Sequence, residues 1–192
     1  MRKILVLLAT LLLLSAALFA QQEQEEEQAP LMLSKYDLML GYSFAHTSIS
    51  DEGLGSTGMK GPSFQLTRYL NDNWGITADV TRLTKSDVQQ SGENAYRWGY
   101  LAGPTYAVRS TDSGATPFVH VLAGYDHQRI SVPGLKHGQP GDFYSGNFAF
   151  DLGAGLDMKA NPHMNVRLGQ FDYYYAKHGG AFRYTAGLVF KF

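Results

Sequence analysis

The sequence predicts an all-β fold, an eight-stranded antiparallel up-and-down transmembrane β-barrel. The first observation is that large apolar residues alternate with small or polar ones along eight segments. The second is that the connections between these segments are short and long in turn. The third is composition: 17% of the 192 residues are charged and 13% are aromatic, whereas an average soluble domain has roughly 25% charged residues.

Residues 1–20 are predicted to be a secretory signal peptide. Two basic residues precede an apolar stretch that ends in small side chains at Ala20, which is the pattern of a signal peptide with its cleavage site. Cleavage after Ala17 is the other possibility. An uncleaved membrane helix is the rival interpretation, but the apolar stretch of 17 residues lies at the lower limit of about 17–25 residues for spanning.

A Gln/Glu-rich leader follows the signal peptide at residues 21–33. Up to Pro30 it holds no aliphatic residue larger than alanine, so this stretch has too little apolar surface to fold by itself. We therefore expect a disordered leader, followed by a barrel over residues 34–192.

Three segments alternate strictly enough to predict strands by themselves: 35–45, 144–158 and 182–192. In the first, for example, Tyr42 and Phe44 fall on the face opposite Ser43. Each of these segments therefore has one apolar face and one small or polar face.

Five weaker segments complete the set of eight. Four of them cover 60–70, 74–84, 95–108 and 117–130. The register of the last is ambiguous, since Val121 could face outward with His120 inside, or the reverse. The remaining segment, 163–177, keeps its aromatic residues on the apolar face only if a bulge at Gly169 shifts its register.

The connections predict two different ends of the barrel. Short turns are expected at 71–73, 110–116 and 161–162. Longer polar connections are expected at 47–58, 85–93 and 131–142, with a Gly179-Gly180 turn before the last strand. Short turns at one end and longer loops at the other are typical of bacterial outer-membrane barrels, so we expect both termini in the periplasm and three moderate loops outside.

Alternation alone does not say which face points outward, because a soluble barrel would put its apolar face inside. The polar face decides between the two. It consists mostly of Gly, Ser, Thr, Asn and Ala with isolated charges of both signs, whereas a strand face in water is rich in Lys and Glu. We therefore expect the apolar face to meet lipid and the small polar face to fill the interior.

Several blocks of this sequence resemble the outer-membrane β-barrel domain family, in particular its small eight-stranded OmpA/OmpX-like members. The most extensive are GPSFQLTRYLNDNWGITADVT (61–81), FAFDLGAGLDM (148–158) and FRYTAGLVFKF (182–192). The resemblance implies an integral protein of the bacterial outer membrane with a structural, membrane-integrity or adhesion and surface-interaction role. It also implies a C-terminal signal for the barrel-assembly machinery, formed by Tyr184, Leu188, Phe190 and Phe192.

The expected partners follow from this location. They are outer-membrane lipids, lipopolysaccharide and, during biogenesis, the barrel-assembly machinery. We expect a monomer, with no nucleic acid bound, because 16 basic and 17 acidic residues leave a net charge of -1 and no polycationic surface. The sequence does not identify a ligand for the outer loops.

Charged residues on the inward face are the main candidate site. Six are predicted to point into the lumen: Asp79, Arg97, Asp151, Arg167, Asp172 and Arg183. Side chains just fill an eight-stranded lumen, and a buried charge needs a partner. We therefore expect a structural plug with at least two carboxylate–guanidinium contacts among these six, and a small-solute channel is the alternative.

No catalytic, cofactor or metal site is expected. The chain has no cysteine, and its six histidines are scattered without close ligand spacing or an accompanying carboxylate cluster. A lipid A-modifying barrel enzyme is a second alternative, since His46-Thr47-Ser48, with Asp51 and Glu52 nearby, resembles the His-x-Ser element of lipid A deacylases. The match is short and lies at the top of the first strand, so we expect no enzymatic activity.

Overall fold

The computed structural model describes residues 33–48, 56–88, 93–111, 113–131, 143–176 and 179–192. Within them, eight antiparallel strands close into a barrel, in which the last strand pairs with the first. The strands are β1 (Tyr36–Ser48), β2 (Ser56–Tyr69), β3 (Trp74–Val88), β4 (Glu93–Ala107), β5 (Ala115–Ser131), β6 (Phe143–Asn161), β7 (Met164–Ala176) and β8 (Gly179–Lys191). The predicted fold class is confirmed, whereas the signal peptide and all of the leader except Leu33 lie outside the described residues.

The strands run further into the long connections than the sequence predicts. Thr47 pairs with Thr57 and Ser48 with Ser56, inside the connection expected at 47–58. A ladder of backbone hydrogen bonds does not require apolar side chains, so polar residues continue it. The predicted Gly179-Gly180 turn is also wrong. Both glycines belong to β8, and the hydroxyl of Tyr173 on β7 lies close to Gly180.

The outer wall is apolar and the interior is polar, as predicted. Large apolar side chains such as Leu152, which is 61% exposed, cover the outside. Buried polar side chains such as Thr77 and Gln170 fill the inside. The ambiguous strand β5 follows the same rule, with Val121 outside and His120 inside.

Strand β7 contains the bulge expected near Gly169. On β6, Leu156 pairs with Gly169 and the next residue pairs with Arg167, so Leu168 is the extra residue of β7. The bulge turns both Arg167 and Gln170 inward. The hydroxyl of Tyr184 donates a hydrogen bond to the carbonyl oxygen of Leu168 at 2.7 Å, so a side chain of β8 satisfies a backbone acceptor at the bulge.

The two ends of the barrel differ in their connections. At the end that we call the turn end, residues 70–73, 108–111, 113–114 and 162–163 belong to short connections, and the carbonyl oxygen of Phe192 accepts hydrogen bonds from the amides of Lys35 and Tyr36. At the opposite end, the loop end, the connections at 49–55, 89–92, 132–142 and 177–178 lie outside the described residues. In the described part of the chain, no helix is long and apolar enough to cross a membrane.

Candidate functional site

All six predicted lumen charges are buried inside the barrel. The exposed fraction of each of the six residues lies between 1% and 7%. The structure brings four of the six together: Arg183 contacts Asp79, Asp151 and Asp172. Arg97 and Arg167 pair instead with two carboxylates that the sequence analysis did not single out, Asp126 and Asp157.

Arg183 is the centre of the largest group, which we call the Arg183 cluster: Arg183, Asp79, Asp151 and Asp172. Its Nε donates to Asp172 Oδ2 at 2.8 Å, and its Nη2 donates to Asp151 Oδ2 at 2.6 Å. Asp79 is more distant, at 3.4 Å from Nη1. With all three carboxylates ionised, a single guanidinium leaves two negative charges uncompensated.

Arg167 forms a second ionic layer beside this cluster. Its Nε and Nη2 donate to the two oxygens of Asp157 at 2.7 and 2.9 Å, which is a bidentate pair. Its Nη1 donates to the amide oxygens of Gln65 and Gln170, each at 2.6 Å. Those amides donate in turn to carboxylates of the Arg183 cluster, so the two layers form one hydrogen-bonded network.

The third guanidinium, that of Arg97, forms a separate pair. Its Nε donates to the two oxygens of Asp126 at 2.9 and 3.1 Å. The guanidinium carbon lies 4.4 Å from the ring centroid of Tyr174. The surroundings of this pair are mostly small or apolar, including Leu83, Gly99 and Ala181.

Hydroxyl groups complete the polar filling of the lumen. Thr77 contacts the hydroxyls of Thr67 and Thr105 at 2.7 and 2.6 Å, which links β2, β3 and β4 across the interior. Ser43 and Thr185 form a similar contact of 2.7 Å between β1 and β8. Two of the cavities that these side chains line have volumes of about 20 and about 10 Å³, which is space for about one water each.

His120 lies beside the Arg183 cluster, which the sequence analysis did not anticipate. His120 on β5 pairs with Gly153 on β6, and Gly153 pairs with Asp172 on β7. Since the residue between them has no side chain, His120 Nε2 comes within 3.2 Å of Asp172 Oδ1 and 3.7 Å of Asp151 Oδ1. The expectation that no carboxylate cluster accompanies a histidine is therefore wrong.

The contact between His120 and Asp172 was not predicted because the two residues are far apart in the sequence. His120 and Asp172 are distant along the chain and become neighbours only through the pairing of three strands. Parity was a usable signal for Asp172, which it placed in the lumen, whereas the ambiguous register of β5 left the side of His120 open. Identifying the contact also required the register between strands, which alternation does not supply.

The remaining sequence candidates lie on the outer wall or at the loop end. The C-terminal residues Leu188 and Phe192 are exposed, at 41% and 63%, and Tyr184 and Phe190 are half-buried. His46 is exposed near the loop end of β1. The side chain of Ser48 and the residues Asp51 and Glu52 lie outside what the structure describes, so the His-x-Ser element is not tested.

A family model and several solved structures match this chain. The model of the outer membrane protein beta-barrel domain matches residues 7–192. No curated protein matches the sequence significantly. Neisserial surface protein A (NspA) is 18% identical, with a TM-score of 0.65 over 84% of this chain and 99% of that chain.

Two further structures show the same fold. Ail, the attachment invasion locus protein of Yersinia pestis, is 14% identical, with a TM-score of 0.61 over 84% of this chain and 100% of that chain. OprG from Pseudomonas aeruginosa is 14% identical, with a TM-score of 0.52 over 85% of this chain and 99% of that chain. These likenesses show a shared small barrel.

Proposed function

Since this chain belongs to the outer membrane protein β-barrel family and its place is the bacterial outer membrane, we propose that it is a non-conducting barrel whose loop-end connections contact partners at the cell surface. In this proposal the barrel is a membrane-spanning support, and the lumen contributes stability rather than a path for solutes.

The filled lumen is the observation that carries the non-conducting part of the proposal. Three guanidinium groups and the five carboxylates that they contact, with the amides and hydroxyls between them, lie in the described interior. Two cavities that they line, of about 20 and about 10 Å³, are about the size of single waters. A water-filled pore requires roughly 16–18 strands, so a barrel of this size favours a plug over a channel.

The surface-interaction part rests on location and on similar proteins. NspA is named as a surface protein and Ail as an attachment invasion locus protein, and one Ail structure holds the heparin analogue sucrose octasulfate. In this chain, the longest loop-end connection is 132–142, with the sequence VPGLKHGQPGD. We propose that this connection is part of the surface that binds an extracellular partner.

The outer wall provides contacts for lipid. Arg82 is exposed there, and its guanidinium carbon lies 5.4 Å from the ring centroid of Trp98 and 6.0 Å from that of Tyr96. We propose that this arginine and Arg68 bind lipid or lipopolysaccharide phosphates.

We propose further that the barrel is a monomer and that the barrel-assembly machinery recognises its C-terminal strand. We also propose that it has no enzymatic activity.

Planar-bilayer recording tests the plugged lumen. We expect the purified full-length protein to give no steady ohmic openings under conditions in which a general porin, added as the positive control, conducts. Steady openings that scale with salt concentration would show a continuous water path and overturn the proposal.

An attachment assay tests the surface role. Cells that display the protein are compared with cells that display a variant in which residues 132–142 are replaced by a Gly/Ser turn, on surfaces coated with heparin or matrix proteins. We expect attachment to fall to the level of cells without the protein, while the folded barrel still runs as a compact band on unheated gels. Equal attachment by all three strains would contradict the proposal.

The absence of catalysis has its own test. Replacing Ser48 with alanine, or expressing the unaltered protein, should leave the acylation pattern of lipid A unchanged in mass spectra. Loss of an acyl chain that depends on Ser48 would make the protein a lipid A deacylase.

A further inference from the structure

We propose that His120, Asp151 and Asp172 form a three-ligand site for a divalent transition metal ion, Zn²⁺ in the first instance, inside the barrel. The site goes beyond the surface role proposed above, because it lies in the lumen and depends on neither attachment nor conductance.

The strand pairing assembles these three residues across a glycine. His120, Gly153 and Asp172 form one row over β5, β6 and β7, and Asp151 is two residues from Gly153 on the same face of β6. A β-carbon on Gly153 would overlap both Asp172 Oδ1 and His120 Nε2. The missing side chain therefore allows the imidazole nitrogen of β5 and the carboxylate of β7 to approach each other, and any larger residue at this position would force them apart.

The distances between the donor atoms suit a small cation. His120 Nε2 lies 3.2 Å from Asp172 Oδ1 and 3.7 Å from Asp151 Oδ1, and all three atoms lie within 4.8 Å of one another. Two ligand atoms on a tetrahedral Zn²⁺ are about 3.4 Å apart, because each bond is about 2.0–2.2 Å long. Movements of the two carboxylates would bring these three donors around one ion and leave a fourth position for water.

Two of the donor atoms have unused bonding capacity. The side chains of His120 and Asp151 are 1% and 0% exposed, yet within the described residues His120 Nε2 and Asp151 Oδ1 have no hydrogen-bond partner. An unsatisfied buried polar atom costs about 1–3 kcal/mol. The two atoms lie 3.7 Å apart, so a shared metal ion would satisfy them together.

The local charge also favours a divalent cation. The carboxylates of Asp79, Asp151 and Asp172 face one guanidinium, that of Arg183, which leaves two negative charges beside His120 when all three carboxylates are ionised and the imidazole is neutral. By contrast, Arg97 pairs with Asp126 and Arg167 with Asp157. A doubly charged cation at the proposed site would neutralise the Arg183 cluster, which a buried group of charges requires.

Arg183 and Gln170 orient the two carboxylate ligands. Arg183 donates to the Oδ2 atoms of Asp151 and Asp172 at 2.6 and 2.8 Å, so their Oδ1 atoms remain on the side of His120. Gln170 donates to Asp172 at 2.9 and 3.0 Å. Hydrogen-bonded carboxylates of this kind are typical of metal sites, and one imidazole nitrogen with two carboxylate oxygens favours Zn²⁺ or Co²⁺ over Mg²⁺ and Ca²⁺.

The experiment uses the full-length barrel without an affinity tag, refolded in detergent after treatment with a chelator. Zn²⁺ is added, and bound metal is measured by elemental analysis and titration calorimetry. Co²⁺ is then added to a second sample as a spectroscopic probe. We expect one metal ion per barrel and a visible Co²⁺ absorption band typical of four-coordinate N/O sites.

The variants separate the lumen site from adventitious binding. His120→Gln and Asp151→Asn should each lower Zn²⁺ affinity by at least about 100-fold and remove the Co²⁺ band. His163→Gln is the matched control, because it removes an exposed histidine at the turn end and should leave both readouts unchanged. If one ligand variant fails to fold, the other variant and the spectrum of the unaltered protein still provide the test.

Three outcomes would overturn the site. The first is the absence of stoichiometric Zn²⁺ in the unaltered protein. The second is binding that persists in His120→Gln, or that disappears in His163→Gln, since the metal would then lie elsewhere. The third is a nitrogen NMR spectrum in which His120 remains a doubly protonated imidazolium in the presence of Zn²⁺, since the cluster would then be compensated by a proton.

Discussion

Two parts of the lumen are filled in different ways. Around Arg167 and Arg183, the interior consists of charged groups, amides and hydroxyls that bond to one another over several strands. Toward the loop end it consists mainly of small or apolar side chains, in two clusters: Leu101, Leu122, Ala149, Tyr174, Ala176 and Ala181, and Ala45, Met59, Leu83 and Ala95. We call these regions the polar lumen and the apolar lumen.

The two regions differ in what keeps their buried side chains stable, which is hydrogen bonding and charge pairing in the polar lumen and close packing in the apolar lumen. In the polar lumen a side chain is fixed by its partners, so loss of one group leaves other buried charges or donors unpaired. In the apolar lumen the contacts have no direction, and a truncated side chain leaves a space that neighbours partly fill. The first region therefore depends on pairing and the second on volume, which single substitutions can separate.

The largest effect is expected from Arg183→Met in the polar lumen. It leaves three buried carboxylates without their guanidinium, so the free energy of unfolding should fall by about 3–5 kcal/mol. Tryptophan fluorescence during urea or guanidinium unfolding in lipid vesicles measures this change. Lys60→Met, on the exposed outer wall, should change the free energy by less than about 1 kcal/mol, and an equal loss in both variants would contradict the role of pairing.

A smaller loss is expected from Leu122→Ala in the apolar lumen. Leu122 is completely buried, and truncation of a buried leucine costs about 2–4 kcal/mol, depending on how far the site collapses. Leu152→Ala on the outer wall serves as the control in the same unfolding assay, since its side chain is 61% exposed and leaves no internal space. A loss larger than that of Arg183→Met would reverse the distinction between the two regions.

The smallest effect of the three is expected from Gly153→Ala, which adds a methyl group where His120 and Asp172 meet. The side chains must move apart, and such overpacking costs about 1–3 kcal/mol. Gly58→Ala is the matched control, because no heavy atom of the described residues lies within 4 Å of its added β-carbon. Similar stability for the two alanine variants would show that the polar lumen tolerates extra volume.

The fold could be predicted from the sequence because apolar and polar residues alternate along each strand in step with the side chains that face lipid and the lumen. Residues such as Phe148 and Asp151 have opposite parity, and the structure places the first outside and the second inside. The bulge was also predictable, since Phe171 would otherwise have pointed inward with Gln170 outward. A single strand contains all the information that these inferences need.

The partners within the lumen were harder to predict. Parity indicates that Asp157 points inward and leaves Asp126 open, because the register of β5 is ambiguous, and it does not indicate that these carboxylates meet Arg167 and Arg97. That pairing depends on register, on the tilt of the strands and on the reach of each side chain. The same limit concealed the approach of His120 to Asp172 over Gly153.

The extra residue in β7 has a consequence for how this gene can change. The extra residue Leu168 determines which of the following side chains of β7 face lipid and which face the lumen. An in-frame loss of that one codon would exchange the lipid-facing and axial residues over the rest of the strand, placing Asp172 among acyl chains and Phe171 among ions. Substitutions at this position should be tolerated far more readily than deletions, because a substitution keeps the register of β7 and a deletion shifts it.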